Sequence, residues 1–139
     1  MSEITIVDYG MGNLASIRNM IKKAGGSSKI SAEISDVLNA EKLILPGVGS
    51  FDAGMQNLHD RGLFSALNAS VLEKQIPILG ICLGAQLMTK SSEEGNLAGL
   101  GWFDARTVRF NFDSTVDYKI PHMGWNRINI QKEHPILEN

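Results

Sequence analysis

Apolar residues recur along this chain in two rhythms. Glu3 to Asp8 (EITIVD), Lys42 to Leu45 and Ile76 to Ile81 are short runs dominated by apolar side chains and read as strands. Between them the spacing lengthens. Met11 to Lys23 places Leu14, Ile17 and Ile21, with Ala24 beyond, at helical intervals, and Gly25-Gly26 ends that helix. Ser28 to Ile30 is a short strand and Ala32 to Leu38 a helical turn. Pro46-Gly47-Val48-Gly49 breaks the second apolar run, after which Asp52 to Leu58 and Leu63 to Glu73 read as helices.

Strands that are continuously apolar, alternating with helices, predict an α/β fold. The expected architecture is a three-layer sandwich: a mostly parallel sheet, helices on both faces and right-handed crossovers. Such sheets bind ligands at the carboxyl ends of their strands. Asp8-Tyr9-Gly10, Pro46 to Gly49 and Cys82 all follow strands, so three separated segments are expected to converge on one cleft. Beyond the helix after Cys82, Ser91 to Gly95 is a polar loop. Leu100 to Phe112 and Tyr118 to Ile130 read as extended segments, expected as a hairpin or antiparallel additions at one sheet edge.

Composition narrows the class. The 139 residues are one domain's worth, and residues 1–139 are expected to form a single domain. A net charge of -2, with basic residues scattered, argues against a nucleic-acid or anionic-membrane partner. No apolar run approaches the roughly 20 residues of a membrane span, and no signal-type segment opens the chain, so the cytoplasm is the expected location. His59, His122 and His134 form no ligand-spaced pair, and a lone cysteine builds no zinc cluster, so no metal site is expected.

Chemistry centres on Cys82, which stands between Gly80 and Gly84 directly after an apolar strand and at a helix start. A lone cysteine is ordinarily a small buried hydrophobe. The G-x-C-x-G frame reverses that reading, because a side chain mounted on a sharp strand-to-helix turn needs small neighbours, as in the G-x-S-x-G elbow of hydrolases. Helix N-terminal amides aimed at the sulfur favour the thiolate. If Cys82 attacks an acyl carbon, the oxyanion needs amide donors. Leu83 supplies one and Val48 is the choice for the second, although the Pro46 to Gly49 loop reads equally well as a plain tight turn. No histidine sits where it identifies itself as the base: His59 reads as a solvated helix residue, and His122 and His134 merely neighbour prolines.

Taken together, Asp8-Tyr-Gly-Met-Gly-Asn13, Leu45-Pro-Gly-Val-Gly-Ser-Phe-Asp-Ala-Gly-Met55, Gly80-Ile-Cys-Leu-Gly-Ala-Gln86, Ser91-Ser-Glu-Glu-Gly95 and Pro121-His-Met-Gly-Trp-Asn126 resemble the class I (triad-type) glutamine amidotransferases. Within that family they are most similar to the glutaminase subunits of imidazole glycerol phosphate synthases. The resemblance implies a flavodoxin-like amidotransferase fold and glutamine hydrolysis at Cys82 through a glutamyl thioester. No cofactor is implied, and ammonia passes to a cyclase-type synthase subunit. It also implies an oxyanion hole from Val48 and Leu83, with Gly47, Gly49 and Gln86 holding the glutamine. Asn13, His122, Met123 and Trp125 would face the partner, although Met123 and Trp125 serve equally well as core residues of a buried strand.

The family's catalytic histidine and glutamate belong to a His-Pro-Glu stretch, whereas His134-Pro135 here is followed by Ile136, so His134 is not assigned as the base. The resemblance therefore implies a chain shortened at its C-terminus. Such a chain is expected to hydrolyse glutamine poorly alone and to self-associate through an uncovered sheet edge or helix face. Two alternatives remain: a paralogous amidotransferase feeding amidino-sugar synthesis for surface polysaccharides, and a non-catalytic module that docks on the synthase.

Overall fold

The computed structural model describes residues 3–112 and 119–137, and divides into two compact units, Met1–Arg109 and Phe110–Asn139. In the first, strand β1 (Ile4–Val7) leads to helix α1 (Leu14–Lys23), β2 (Ser28–Ser31), α2 (Ile34–Leu38) and β3 (Lys42–Leu45). Then come α3 (Phe51–Asp60), α4 (Leu63–Asn68), β4 (Ile78–Gly80), α5 (Leu83–Leu87), β5 (Ser91–Ser92) and β6 (Arg106–Thr107).

Strands β1 to β4 form one parallel sheet in the order β2-β1-β3-β4, with Ile6 opposite both Ile30 and Ile44, and Leu45 opposite Gly80. The predicted parallel α/β sheet is present. Period-two alternation sends Val7, Leu43 and Leu45 into a core shared with Val37, Phe51, Met55, Leu58, Leu63, Leu67, Leu83 and Leu87, while Ile6 and Ile44 are buried on the opposite face. Because the chain reverses direction across the sheet after β2, right-handed crossovers put α1 and α2 on opposite faces.

Helix α3 shows why such segments fold. Ser50 caps it, its hydroxyl accepting from the Ala53 N–H at 3.4 Å, and Phe51, Gly54, Met55 and Leu58 form its buried stripe. Burying side chains such as Met55 and Leu58 contributes about 1.5–3 kcal/mol each. After α4 the chain widens into a π-turn, Ala69–Glu73, which aims the Ser70 hydroxyl at the Val37 carbonyl (3.0 Å) and the Lys74 ammonium at the Leu38 carbonyl (2.6 Å). The Lys74 bond occupies a carbonyl left open at the end of α2, while the Val37 carbonyl also accepts from the Ala40 N–H at 3.4 Å.

One detail departs from the expectation of antiparallel additions after residue 100. Strand β6 pairs parallel with β5, Ser91 opposite Arg106 and Ser92 opposite Thr107. The cause is the route between them. Amides of Gly99, Leu100, Gly101 and Phe103 donate to the carbonyls of Lys90, Leu87, Thr89 and Met88, pinning the return segment so that it re-enters in the direction it left.

In the second unit, residues 110–112 and 119–137 form no strand, and the one regular element described is a 3-10 turn at Pro135–Leu137. Phe110 and Phe112 stack with ring centroids 5.5 Å apart. Tyr118, the start of the second predicted extended segment, lies outside the described residues. No helix among the described residues is long and apolar enough to cross a membrane.

Candidate functional site

Cys82 sits between β4 and α5 with φ +54° and ψ -118°, a backbone conformation that favours glycine, and its side chain is exposed. Holding a residue there costs on the order of 1–3 kcal/mol and is sustained only by surroundings that fix the turn. Those surroundings are visible. The Ile81 N–H donates to the Leu45 carbonyl (3.0 Å), continuing the β3–β4 ladder, while the Ala85 and Gln86 N–H groups donate to the Cys82 carbonyl at 3.0 and 3.2 Å. The chain must therefore change from strand to helix within Cys82 itself.

Glycine at 84 is required by close approach, since a Cβ there would collide with the Leu45 carbonyl. The Gly80 counterpart would press on the Ala85 backbone at 2.6–2.7 Å. The paired glycines thus let β3, β4 and α5 meet around the cysteine. Leu83 divides its labour: its side chain is buried in the core, and among the described residues its N–H donates no hydrogen bond.

The loop after β3 closes on the same place. A Cβ at Gly47 would lie 2.9 Å from the Leu83 Cβ and 3.1 Å from the Gly84 nitrogen, and would overlap the Tyr9 hydroxyl. The next residue, Val48, is 58% exposed, and its N–H also donates no hydrogen bond among the described residues. The loop after β1 completes the ring: a Cβ at Gly12 would lie 3.4 Å from the Gly47 nitrogen, and one at Gly49 would lie 2.6 Å from the Met11 Cε. The three segments that follow strands do meet at the carboxyl edge of β1, β3 and β4, next to the switch point between β1 and β3.

Gln86 lies one turn into α5, half-buried, with a side-chain amide that makes no hydrogen bond among the described residues. Asn13 caps α1, its carbonyl oxygen accepting from the Ser16 N–H at 3.2 Å. His122, Met123 and Trp125 are exposed in the second unit, where the His122 ring and the Asn126 amide are 3.0 Å apart. His59 stacks on Phe64 with centroids 4.3 Å apart. Within the first unit no described side chain is hydrogen-bonded to the Cys82 sulfur. No group of three or more His, Cys, Asp or Glu among the described residues is placed to hold a metal ion.

Two residues were not singled out from sequence. Tyr9 is fully buried and donates its hydroxyl to the Pro46 carbonyl at 2.6 Å. Burial, and secondarily the electrostatic effect of nearby Cys82, push its phenol well above the ordinary tyrosine range, so it remains a donor. Asp52, in the first turn of α3, accepts from the N–H groups of Asn96 and Leu97 at 2.9 Å, which fastens the segment after β5 to that helix. Those amides hold its carboxyl below the usual aspartate range. An aromatic extending an apolar strand into a glycine turn, and an acid following a Ser cap, were the available signals.

Comparison with known proteins matches residues 5–139 to the family described as glutamine amidotransferase class-I. The chain is 52% identical over 134 residues to imidazole glycerol phosphate synthase subunit HisH 2 of Pseudomonas aeruginosa, covering 96% of this chain and 65% of that protein. It is 50% identical over 136 residues to the Methanococcus maripaludis protein of the same name, covering 98% and 66%. The chain thus spans about two thirds of the length of these curated relatives. A solved structure titled as a glutamine amidotransferase superposes with a TM-score of 0.63 at 21% identity, over 76% of this chain and 56% of that one, and shares the fold. With the family pattern running through both units from residue 5 to residue 139, the chain belongs to the class-I glutamine amidotransferases.

Proposed function

We propose that this chain is the glutamine-hydrolysing part of an imidazole glycerol phosphate synthase, working in cytoplasmic histidine biosynthesis. The observation that carries this is Cys82, held in a strained turn beside the loop that bears the Val48 N–H, with the Val48 and Leu83 amides both free to donate. The names of the relatives at 50–52% identity support the choice of pathway.

The Cys82 thiolate attacks the side-chain carbonyl carbon of glutamine, and the carbonyl electrons move onto oxygen, where the Val48 and Leu83 amides receive them. Each such donor is worth about 3–4 kcal/mol of barrier. Collapse expels the nitrogen as ammonia, which takes a proton from a general acid, a histidine in the family pattern. Water then cleaves the glutamyl thioester to glutamate and restores the thiolate. Gly47 and Gly49 let backbone approach the substrate, and the unengaged Gln86 amide is available to its amino-acid end. Ammonia passes to a cyclase-type subunit, which Asn13, His122, Met123 and Trp125 would face.

The test is mass spectrometry after incubation with 6-diazo-5-oxo-norleucine, with Cys82→Ser as control. A single adduct on Cys82, blocked by glutamine, is expected. A folded chain that takes up no label overturns the assignment and favours a docking role, for which the exposure of Met123 (84%) and Trp125 (104%) is the specific support.

A further inference from the structure

Tyr9 is the buried titratable group nearest the proposed chemistry that the mechanism leaves unused. Its ring continues the apolar side of β1 into the core, and its hydroxyl reaches past the end of the sheet to the Pro46 carbonyl at 2.6 Å. That carbonyl lies one residue beyond the β3–β4 ladder, whose last acceptor on β3 is Leu45. No other described group donates to the Pro46 carbonyl. Proline has no N–H with which to anchor itself. The absent side chain of Gly47 is what leaves room for the hydroxyl.

We infer that Tyr9 is a positioning residue: its hydroxyl fixes the Pro46–Gly47 peptide plane and thereby aims the Val48 N–H at the developing oxyanion. This rests on the glutaminase reading above. The Pro46–Gly47 peptide is one link from the Val48 nitrogen, so rotating it swings that amide away from where the charge forms. Tyr9 touches neither glutamine nor the reacting atoms and acts through the loop alone. Because its phenol keeps its proton, the tether holds throughout the range in which a cysteine nucleophile works.

Tyr9→Phe keeps the buried ring and removes only the tether. Three measurements on the full chain define the outcome: the rate of Cys82 labelling by 6-diazo-5-oxo-norleucine as a function of its concentration, alkylation by iodoacetamide, and the 15N order parameters of the amides at residues 47–49. The expected result is a roughly ten- to hundredfold lower limiting labelling rate, because small misplacements of catalytic donors cost that much. The half-saturating concentration and the iodoacetamide rate should stay within about twofold, since neither reports charge developing on the carbonyl oxygen. The order parameters at residues 47–49 should fall.

A folded variant with unchanged order parameters and unchanged limiting rate overturns the proposal and leaves the glutaminase reading intact. A parallel loss of iodoacetamide reactivity also overturns it, because Tyr9 would then act on the thiol rather than the loop. If the wild-type chain takes no label, the glutaminase reading falls. The order parameters then decide the tether alone: a fall supports it and no change refutes it.

Discussion

The two units of this chain carry similar apolar side chains and use them in opposite ways. In the first, Val7, Leu45, Met55, Leu58 and Leu67 are completely buried. In the second, Ile120, Met123, Trp125, Ile128 and Ile130 are 56–104% exposed. The difference is one of spacing. In the first unit apolar residues repeat every two positions in strands and every three or four in helices, so a shared sheet can bury them together. From Ile120 to Ile130 the intervals run three, two, three and two, a pattern that suits neither a helix stripe nor one face of a strand. Hydrophobicity thus gives a core only where its period matches a backbone.

Leu67→Ala should separate the units most strongly. It is expected to cost about 2–5 kcal/mol in urea unfolding, against less than about 0.5 kcal/mol for Ile128→Ala. Equal effects would break the contrast. Within the first unit, Gly84→Ala tests whether packing reaches the site, since the added Cβ meets the Leu45 carbonyl. It is expected to cost about 1–3 kcal/mol and to abolish labelling of Cys82.

Cys82→Gly sharpens the contrast in the other direction. Relief of the positive φ should raise stability by about 1 kcal/mol while removing all labelling, read from the same denaturation curve. The smallest effect is electrostatic. The amides of Asn96 and Leu97 depress the folded-state pKa of Asp52, so its contribution is present above the ordinary carboxylate range and is lost as pH falls through the lowered value. Below about pH 4 the melting temperature of the wild type should fall more steeply than that of Asp52→Asn. Asp36, held down by Lys29 and Ser31, contributes to the acid loss in both proteins, so the slopes should differ without either vanishing.

The fold was legible wherever the period was local. Strands β1, β3 and β4 and helices α1 and α3 follow from runs of four to thirteen residues, and the convergence of three loops follows from parallel topology. The cysteine turn was legible because Gly80 and Gly84 are sterically required there. The parallel pairing of β5 and β6 was not legible. It depends on amides of residues 99–103 reaching carbonyls of residues 87–90, a long-range arrangement that leaves no periodic trace. Tyr9 and Asp52 escaped for the same reason. Their partners, Pro46, Asn96 and Leu97, are 37 to 45 positions away along the chain.

The backbone angles of Cys82 also bear on how this sequence changes over generations. A codon for cysteine becomes one for glycine by a single base change, and at this position the new residue relaxes the turn. A change to glycine here is therefore expected to be favoured by stability and opposed only by the chemistry proposed for the thiol.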